Sequence, residues 1–345
     1  MTYTVTVKPS GKQISVEPDE FVLDAALRQT VVLPYGCKNG VCGSCKAQLL
    51  AGTVALGSHS ARALRPEDIT RGFTLLCCAR PTSDLVIEAR VVSAAGDIPV
   101  RKMPCRVASI IEVAPDVRVI SLQLPANERL QYLAGQSVEI ILRDGTRRSY
   151  SMACAPHLAE KLELHVRHMP GGRFTDTVFG AAQPALKERD ILRFEGPMGT
   201  FFLREDSQRP IVLVASGTGF APIKAIIEHA IHRSVTRPMT LYWGGRRPRD
   251  LYLHTLCERW AQELSGFRYV PVVSDALPDD HWQGRTGFVH RAVIDDLPDL
   301  AGFQVYACGA PVMVEAARRD FIAQCGLPPD EFHADSFTSA ADTDK

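Results

Sequence analysis

The first segment of the chain, residues 1–93, combines two hydrophobic periodicities. Alternation of apolar and polar residues over 2–8 and 13–16 predicts a β-hairpin. Apolar residues with helical spacing over 21–28 predict a short helix, and the apolar run at 84–89 predicts a late strand. A compact α+β domain is therefore expected at the amino-terminal end.

Residues 104–206 contain short apolar runs separated by turns with glycine and proline. Evenly spaced runs of this kind are typical of a small antiparallel β-barrel. The predicted strands cover residues 105–111, 117–124, 138–142, 149–153, 162–168 and 191–194. Residues 94–103, which precede them, are rich in small residues and are expected to form a linker.

Residues 207–340 alternate between strand and helix patterns. This alternation predicts a parallel, doubly wound sheet with helices on its faces. The predicted strands are 211–215, 239–243, 269–273 and 305–307, and the predicted helices are 221–232 and 312–324. Residues 341–345 are assigned to a tail. The whole chain is thus expected to be a multidomain α+β and α/β protein.

The composition is that of an ordinary globular protein. With 345 residues, 46% of them hydrophobic and 23% charged, the chain has room for two or three domains with cores of their own. Lys plus Arg number 39, as do Asp plus Glu, so no net charge favours a nucleic acid or an anionic membrane as a partner. There is no apolar signal core, and no apolar run of the roughly 18 residues that span a bilayer. We therefore expect a cytoplasmic protein with reduced thiols.

The most specific motif is a group of cysteines. Cys37, Cys42 and Cys45 have the spacing C-x4-C-x2-C, and Cys77 follows far downstream. This is the spacing of a plant-type [2Fe–2S] centre, in which four thiolates hold two iron atoms that exchange one electron at a time. Structural zinc is the main alternative, but it usually shows two C-x2-C pairs, and only one is present here.

Glycines around these cysteines support the cluster interpretation. Gly36, Gly40 and Gly43 interleave with the motif. Glycine allows the positive φ angles of a tightly wrapped loop, whose backbone N–H groups can then reach the sulfur atoms. A hairpin, a helix, a cysteine loop and a late strand also form the element order of a β-grasp ferredoxin.

The fourth ligand requires a choice, because Cys77 and Cys78 are adjacent. The surrounding segment resembles the end of plant-type ferredoxin domains, where the ligand lies four residues before a proline. Pro81 has this relation to Cys77. Cys77 is therefore selected as the ligand, and Cys78 is expected to be a packed side chain.

Two motifs in the second segment point to a flavin. A flavin needs an aromatic partner, a donor near N5 and a cation for its phosphates, which Tyr150, Ser151 and Arg148 are able to supply. Residues 170–176 predict a glycine turn that opens a helix, and such turns present N–H groups to phosphate. Each motif alone is weak, but in this order after a cluster domain they predict a flavin.

The third segment opens with a strand, a glycine turn at 217–219 and a helix with Pro222 in its first turn. The turn resembles the dinucleotide motif G-x-G-x-x-G, with proline in place of the third glycine. It lies at the carboxyl end of a strand, where α/β sheets bind ligands. A second strand–turn–helix unit at 306–311 places Cys308 at a strand end, although burial as a small apolar residue is the commonest fate of a free cysteine.

With these motifs in this order, the chain resembles the ferredoxin–NAD(P)H reductase-type flavoproteins with an N-terminal plant-type ferredoxin domain, over essentially its full length. Members include the reductase components of ring-hydroxylating dioxygenases and multicomponent monooxygenases. The strongest likeness is to the CDP-6-deoxy-3,4-glucoseen reductases, which serve a deoxysugar dehydratase. The resemblance implies a β-grasp [2Fe–2S] ferredoxin domain at 1–93, an FAD-binding antiparallel barrel at 104–206 and a doubly wound NAD(P)-binding domain at 207–340.

The resemblance also implies roles for individual residues. The family's FAD motif matches Arg148, Tyr150 and Ser151, and the turn for the FAD pyrophosphate matches Gly172 and Thr175. The family's nicotinamide dinucleotide loop matches Gly217, Thr218, Gly219 and Pro222. The motif that places a thiol against the nicotinamide matches Cys308, Gly309 and Pro311.

The implied activity is electron transfer from NAD(P)H. The nucleotide delivers two electrons as a hydride to FAD, and the cluster passes them singly to a partner protein, either a dehydratase or an oxygenase component. Ser151 is expected to tune the flavin N5, Tyr150 to pack on the ring and Cys308 to orient the nicotinamide. A reductase of an oxygenase is the alternative enzyme, and a non-catalytic iron–sulfur electron carrier or redox sensor is the alternative of another class.

Two points of the resemblance stay open. Arg246 and Arg247 follow the strand at 239–243 without an acid for a ribose 2′-OH, which fits a 2′-phosphate, yet NADH-using relatives carry similar arginines. The resemblance therefore favours NADH and leaves NADPH possible. Many relatives have a glutamate two residues before an aromatic near the flavin, where this chain has Asp335, so contact with the nicotinamide site is left open.

The remaining candidate residues are assigned structural roles. His165 and His168 alternate on a predicted strand without the spacing of metal ligands. The scattered thiols are expected to be buried and without function, and they are Cys105, Cys154, Cys257 and Cys325.

Overall fold

The computed structural model describes residues 2–92, 98–158 and 160–337. The predicted tail and residues 94–97 of the predicted linker lie outside the described residues. The chain divides into two compact units, the first built on residues up to Pro99 and the second on Val100–Met198 and Phe202–Ser336. Among the described residues, no helix has both the length and the apolar character that a membrane crossing requires.

The first unit is a small mixed sheet covered by a helix. Its elements are β1 (Tyr3–Lys8), β2 (Lys12–Val16), α1 (Val22–Arg28), β3 (Lys46–Ala51), β4 (Val54–Leu56), α2 (Pro66–Thr70), β5 (Phe73–Leu75), β6 (Ala79–Pro81) and β7 (Leu85–Glu88). The main sheet has the strand order β2-β1-β7-β3-β5, and β4 pairs with β6. The predicted hairpin is present, with Val5 opposite Ile14. Both side chains are fully buried, as the alternating pattern requires.

The first half of the second unit is an antiparallel sheet that closes on itself. Its elements are β8 (Arg101–Ala114), β9 (Val117–Gln123), β10 (Ser137–Ile141), β11 (Arg147–Ser151), β12 (Lys161–Arg167), α3 (Arg173–Phe179) and β13 (Ile191–Met198). The strand order is β11-β10-β13-β8-β9-β12. An antiparallel bridge between Met152 and Leu164 joins the two edges, so the sheet forms the expected barrel.

The second half is a parallel sheet flanked by helices. Its elements are β14 (Ile211–Ser216), α4 (Phe220–His232), β15 (Met239–Gly245), α5 (His254–Glu263), β16 (Phe267–Val273), β17 (Arg285–Thr286), α6 (Val289–Asp296), β18 (Gln304–Gly309), α7 (Pro311–Cys325) and β19 (Phe332–Ser336). The strand order is β17-β16-β15-β14-β18-β19, and every neighbouring pair is parallel. The carboxyl ends of β14 and β18 therefore lie side by side.

The expected fold class is confirmed, and the differences concern element ends and elements that were not predicted. β8 begins at Arg101, inside the predicted linker, and β11 ends at Ser151 rather than at residue 153. Helices α5 and α6 had no counterpart among the predicted elements. Both are amphipathic helices of ten residues or fewer, and histidine or polar residues interrupt their apolar positions.

Replacing Phe321 with alanine tests the core of the parallel sheet. Phe321 is fully buried on α7, so we expect Phe321→Ala to lower the free energy of unfolding by about 3–5 kcal/mol through lost packing and a cavity. Val312 on the same helix is 68% exposed, and Val312→Ala should cost less than about 0.5 kcal/mol. Tryptophan fluorescence during urea unfolding is the measurement, because all three tryptophans, Trp243, Trp260 and Trp282, lie in this half of the chain. Equal losses in the two variants would contradict the assigned core.

Candidate functional site

The cysteine motif forms an irregular loop between α1 and β3, and Cys77 follows β5. The Sγ atoms of Cys45 and Cys77 are 3.2 Å apart. The backbone N–H of Cys37 points at Cys42 Sγ over 3.3 Å, and the N–H of Cys42 points back at Cys37 Sγ over 3.4 Å. The loop thus brings thiols together and turns backbone donors toward them, which suits iron–sulfur chemistry.

Two of the three glycines in this loop have the expected positive φ angle. Gly40 and Gly43 have φ angles of +77° and +72°. A Cβ on Gly40 would also lie 2.6 Å from Cys78 Sγ and 2.9 Å from the Ser58 carbonyl oxygen, so no side chain fits there. The expectation of a positive φ at Gly36 is wrong, because only the other two glycines of the loop adopt one.

Cys78 packs its thiol against Gly40 of the loop and bonds to the backbone. Its Sγ donates to the Ser58 carbonyl over 3.3 Å and lies 3.7 Å from Cys77 Sγ. Cys77 is therefore the member of the pair that faces Cys45. Among the described residues, no group of three or more His, Cys, Asp or Glu side chains is arranged to hold a metal ion.

The predicted flavin residues lie on β11. Arg148 and Tyr150 share one face of the strand, and the Tyr150 ring lies 5.3 Å from that of Phe174. Burial raises the pKa of the Tyr150 phenol, which therefore stays protonated. Arg148 is partly exposed and donates to the carbonyl of its neighbour Arg147 over 2.8 Å.

Ser151 contacts a residue of the parallel sheet that is paired with Cys308. Its hydroxyl donates to Asp335 Oδ2 over 3.3 Å. Asp335 is directly opposite Cys308 in the pairing of β18 with β19. Cys308 is fully buried, and burial raises the pKa of its thiol, with the Asp335 carboxyl adding to the effect. A hydroxyl, a carboxyl and a neutral thiol therefore converge where the barrel and the parallel sheet meet.

The carboxyl of Asp335 is the titratable group of this junction. Burial raises its pKa to about 6, and the hydrogen bond from Ser151 only partly opposes the shift. Sequence reasoning left open whether this residue is a surface acid. The structure places its partly buried carboxyl against Ser151, a contact across 184 residues that no local pattern reveals.

The turn before α3 is built as predicted, but Thr175 uses its hydroxyl within the turn. Thr175 Oγ1 donates to the Met169 carbonyl over 2.9 Å and accepts the Met169 N–H over 3.2 Å. A Cβ on Gly172 would lie 2.5 Å from Thr175 Oγ1, so glycine is required there. Thr175 thus holds the shape of the turn.

The glycine turn after β14 packs against the end of β18. A Cβ on Gly219 would lie 2.2 Å from the Cys308 carbonyl oxygen, and one on Gly309 would lie 2.2 Å from Ser216 Oγ. Gly217 has a φ of +52°, and its carbonyl accepts the Trp243 indole N–H over 3.1 Å. Pro222 stands in the first turn of α4, as expected.

Arg167, at the end of β12, is a candidate that sequence reasoning missed. Its Nη1 lies 2.9 Å from the position of a Cβ on Gly217. Within the described part of the chain, its Nη2 is buried without a hydrogen-bond partner, and its Nε lies 3.2 Å from Asp116 without the alignment of a hydrogen bond. A guanidinium with unused donors beside a glycine turn is suited to a phosphate. The available signal was an arginine at the end of a predicted strand.

Of the two arginines after β15, Arg247 is held by an acid, whereas the Arg246 side chain is 71% exposed. Arg247 makes two bonds to Asp280, of 2.8 and 3.0 Å. Asp250, which is 4% exposed, accepts the backbone N–H groups of both Arg246 and Arg247 on one oxygen. Asp250 is therefore an acid beside this loop. It lies one residue after 244–249, the stretch in which the sequence shows no acid.

Three family profiles cover most of the chain. The "2Fe-2S iron-sulfur cluster binding domain" matches residues 5–82, the "Oxidoreductase FAD-binding domain" matches 104–203, and the "Oxidoreductase NAD-binding domain" matches 213–319. The CDP-6-deoxy-L-threo-D-glycero-4-hexulose-3-dehydrase reductase of Yersinia pseudotuberculosis is 41% identical over 98% of this chain and 99% of its own length. The chain belongs to the ferredoxin–NAD(P)H reductase-type iron–sulfur flavoproteins.

Other members of this family have different named roles. The reductase component 1 of terephthalate 1,2-dioxygenase from a Comamonas species is 36% identical over 99% of this chain and 98% of its own length. The solved structure of the reductase GcoB from Amycolatopsis matches with a TM-score of 0.76 and 36% identity, covering 98% of this chain and all of that one. This protein is thus an NAD(P)H-dependent electron-transfer oxidoreductase that uses FAD and a [2Fe–2S] cluster.

The residues set aside in this reductase are buried or bonded. Cys105, Cys154, Cys257 and Cys325 are all buried, as expected. His168 bonds to Asp176 over 3.0 Å and stacks on Phe179. His165 is part of a larger buried group of polar side chains between β12 and α4.

Replacing Asp335 with asparagine tests its raised pKa. The unfolded carboxyl titrates near 3.8 and the folded one near 6, so ionisation disfavours the folded state increasingly as the pH rises through this range. Asp335→Asn should therefore increase the free energy of unfolding by about 1–3 kcal/mol at pH 8 and by less at pH 4.5.

Urea unfolding followed by tryptophan fluorescence at both pH values measures this difference. The control is Asp330→Asn, because Asp330 is exposed and its replacement should have a small effect with the same value at both pH values. A gain from Asp335→Asn that does not grow with pH would contradict the burial of an ionisable carboxyl.

Proposed function

We propose that this reductase oxidises NADH and supplies single electrons to a dehydratase that acts on a nucleotide-linked deoxyhexose. The observation that carries the proposal is the 41% identity, over nearly the full length of both chains, with a reductase named for a CDP-6-deoxyhexulose dehydrase. The second candidate partner is an oxygenase component, which the 36% identity with a terephthalate dioxygenase reductase favours.

The proposal divides the chain into three working parts, at 1–93, 104–206 and 207–340. In the first, the cluster ligands are Cys37, Cys42, Cys45 and Cys77. The contact between Cys45 and Cys77 supports Cys77 over Cys78, whose thiol is directed at the Ser58 carbonyl. The N–H groups that already point at Cys37 and Cys42 would donate to ligand sulfurs.

In the second and third parts, the proposed residues act on the two nucleotides. When bound, FAD supplies the conversion of a two-electron hydride into single electrons. Tyr150 packs on the ring, Arg148 pairs with phosphate, and the turn at Gly172, shaped by Thr175, presents backbone N–H groups.

Ser151 is the proposed donor toward the flavin N5, and its single hydroxyl proton, which points at Asp335 in this structure, must turn from that carboxyl to N5. Cys308, a neutral thiol, forms the apolar wall against the nicotinamide. Hydride transfer needs no general base, so none is assigned. Because the carboxyl beside Ser151 titrates near 6, the orientation of the Ser151 hydroxyl depends on pH in the physiological range.

The dinucleotide is proposed to bind along Gly217, Thr218, Gly219 and Pro222, with Gly309 closing the other side. Arg167 is added as a phosphate-binding residue because its unused donors lie beside Gly217. NADH is preferred over NADPH for two reasons. Asp280 already holds Arg247, and Asp250 adds a negative charge to the loop after β15, where such sheets bind the ribose 2′ group.

An anaerobic titration of the purified protein tests this function. We expect NADH to bleach the flavin and iron–sulfur absorbance bands together, and NADPH to do so at least 10-fold less efficiently. Adding the oxidised dehydratase should then restore both bands by single-electron transfer, while an oxygenase component should not. A cluster spectrum that neither nucleotide bleaches would leave an electron carrier or sensor, and re-oxidation by the oxygenase alone would assign the second partner.

Serine substitutions at the adjacent cysteines test the fourth ligand. Cys77→Ser should abolish or strongly alter the iron–sulfur absorbance and the electron paramagnetic resonance signal, since oxygen is a poor replacement for a thiolate on iron. Cys78→Ser is the matched control and should keep both signals. Retention of an unaltered cluster in Cys77→Ser with loss in Cys78→Ser would reverse the assignment.

A further inference from the structure

A group of buried polar side chains joins the barrel to the helix that follows the glycine turn. Lys224 on α4 is 8% exposed, and its Nζ lies 2.6 Å from Glu228 Oε1 and 3.1 Å from Glu163 Oε1. The same ammonium donates to the Ala153 carbonyl over 2.9 Å. Glu228 in turn accepts the Ala155 N–H on its other oxygen, over 3.1 Å. Lys224 and Glu228 together therefore form hydrogen bonds with the backbone at both ends of the segment 153–155.

The segment 153–155, which these two side chains bind, begins two residues after Ser151. Ala153 and Ala155 are fully buried, and the chain between Ser151 and Ala153 contains one residue, Met152. Any movement of the carbonyl at Ala153 is therefore transmitted to the Ser151 hydroxyl within two peptide units. At the other end, Lys224 lies one to two helical turns beyond the glycine turn at 217–219.

A second series of contacts leads from Glu163 to the glycine turn at 217–219. His165 Nε2 bonds to Glu163 over 2.9 Å and its Nδ1 bonds to the Tyr252 hydroxyl over 2.8 Å. The Tyr252 ring packs edge-on against Trp243 at 5.2 Å. The Trp243 indole then donates to the Gly217 carbonyl over 3.1 Å. The polar group thus contacts both the strand end that carries Ser151 and the turn that carries Gly217.

The charges in this group are fixed at neutral pH. The Lys224 ammonium and the bond to His165 lower the pKa of Glu163 to about 2 despite its burial, and the carboxylates raise the pKa of Lys224. Burial lowers the pKa of His165, which is therefore neutral. Since the Glu163 carboxylate only accepts, His165 carries its proton on Nε2 and accepts the Tyr252 O–H on Nδ1.

The balance of charge makes Lys224 the centre of the group. Two carboxylates and one ammonium share a largely buried space, so removing the ammonium leaves two unpaired anions. Buried groups of this kind cost free energy to assemble and favour one arrangement of the elements that they join.

We infer that Lys224, with Glu163 and Glu228, is a positioning residue for hydride transfer, which holds the strand end at Ser151 at a fixed distance from the glycine turn. The inference rests on the proposed function, because it assumes that Ser151 faces the flavin and that the turn binds the dinucleotide. The distance between these two elements sets the approach of the nicotinamide to the flavin, and displacements near 1 Å at such a site change rates by about 100-fold.

Anaerobic stopped-flow reduction of the full-length, FAD-loaded protein by NADH tests the inference. Lys224→Met should lower the limiting rate of flavin reduction by about 10- to 100-fold, with less than about a threefold change in the Kd for NADH. The long-wavelength charge-transfer absorbance of the reduced protein with NAD⁺ should weaken, because it reports the stacking of the two rings independently of turnover. Lys161→Met is the matched control, since Lys161 is an exposed lysine on β12, and it should resemble the wild type in all three measurements.

A limiting rate and charge-transfer band within twofold of the wild type would overturn the inference, even if the melting temperature falls, because the lysine would then serve stability alone. If Lys224→Met does not fold, Glu228→Gln replaces it, and an unchanged rate there has the same meaning. Failure of the wild type to be reduced by NADH would instead reject the proposed function. Dithionite bleaching of each variant confirms that the flavin and cluster are loaded.

Discussion

The close approach of two turns at the carboxyl edge of the parallel sheet is the constraint on which the proposed hydride site depends. The space beside Gly219 is filled by the Cys308 carbonyl, and the space beside Gly309 by Ser216. Ser216 Oγ also accepts the Ala310 N–H over 3.0 Å, which ties the two strand ends together. A side chain at either glycine would force β14 and β18 apart and would open the buried Cys308 to solvent. The thiol wall and the dinucleotide turn are therefore parts of one backbone arrangement.

Two partly buried carboxyls of the second unit differ in what surrounds them. Glu163 has an ammonium and an imidazole N–H as partners, and its pKa falls to about 2. Among the described residues, Asp335 has the Ser151 hydroxyl as its side-chain partner, and its pKa rises to about 6. Glu163 is thus a permanent charge that holds structure, whereas Asp335 changes its charge near neutral pH. A positive charge arriving beside Asp335, such as that of an oxidised nicotinamide, would favour its ionised form.

Local patterns were sufficient for the cluster loop and for most of the fold. The spacing of Cys37, Cys42 and Cys45 predicts an iron–sulfur loop within nine residues, and the profile of a [2Fe–2S] domain covers this stretch. The glycine turn at 217–219 lies between a strand and a helix that periodicity predicts. Asp335 and Arg167 were different. Asp335 contacts Ser151, and Arg167 lies beside Gly217, and in both pairs the partner is remote in sequence. Only the packing of the barrel on the parallel sheet brings the members of each pair together.

The contacts of His165 also could not be predicted from the sequence pattern around it. On the sequence it is one of two histidines on a strand, and a structural role was the reasonable interpretation. Its role is structural in a specific sense, because it connects Glu163 to Tyr252 in a group that no motif describes. A buried lysine such as Lys224 also has no local signature, since its neighbours in space come from β12 and from the segment after β11.

The proposed cluster ligands are close together in the sequence, whereas the proposed hydride site is assembled from residues far apart. This difference bears on how such reductases serve different partners. The proposed cluster ligands lie between Cys37 and Cys77, within one compact unit, whereas the hydride site draws on residues from Arg148 to Asp335. The demanding geometry of hydride transfer is thus maintained by long-range packing in the second unit. Relatives named for a dehydrase and for a dioxygenase share more than a third of their residues with this chain over nearly its full length. We therefore expect the choice of partner to depend on surface residues rather than on the cofactor-binding residues.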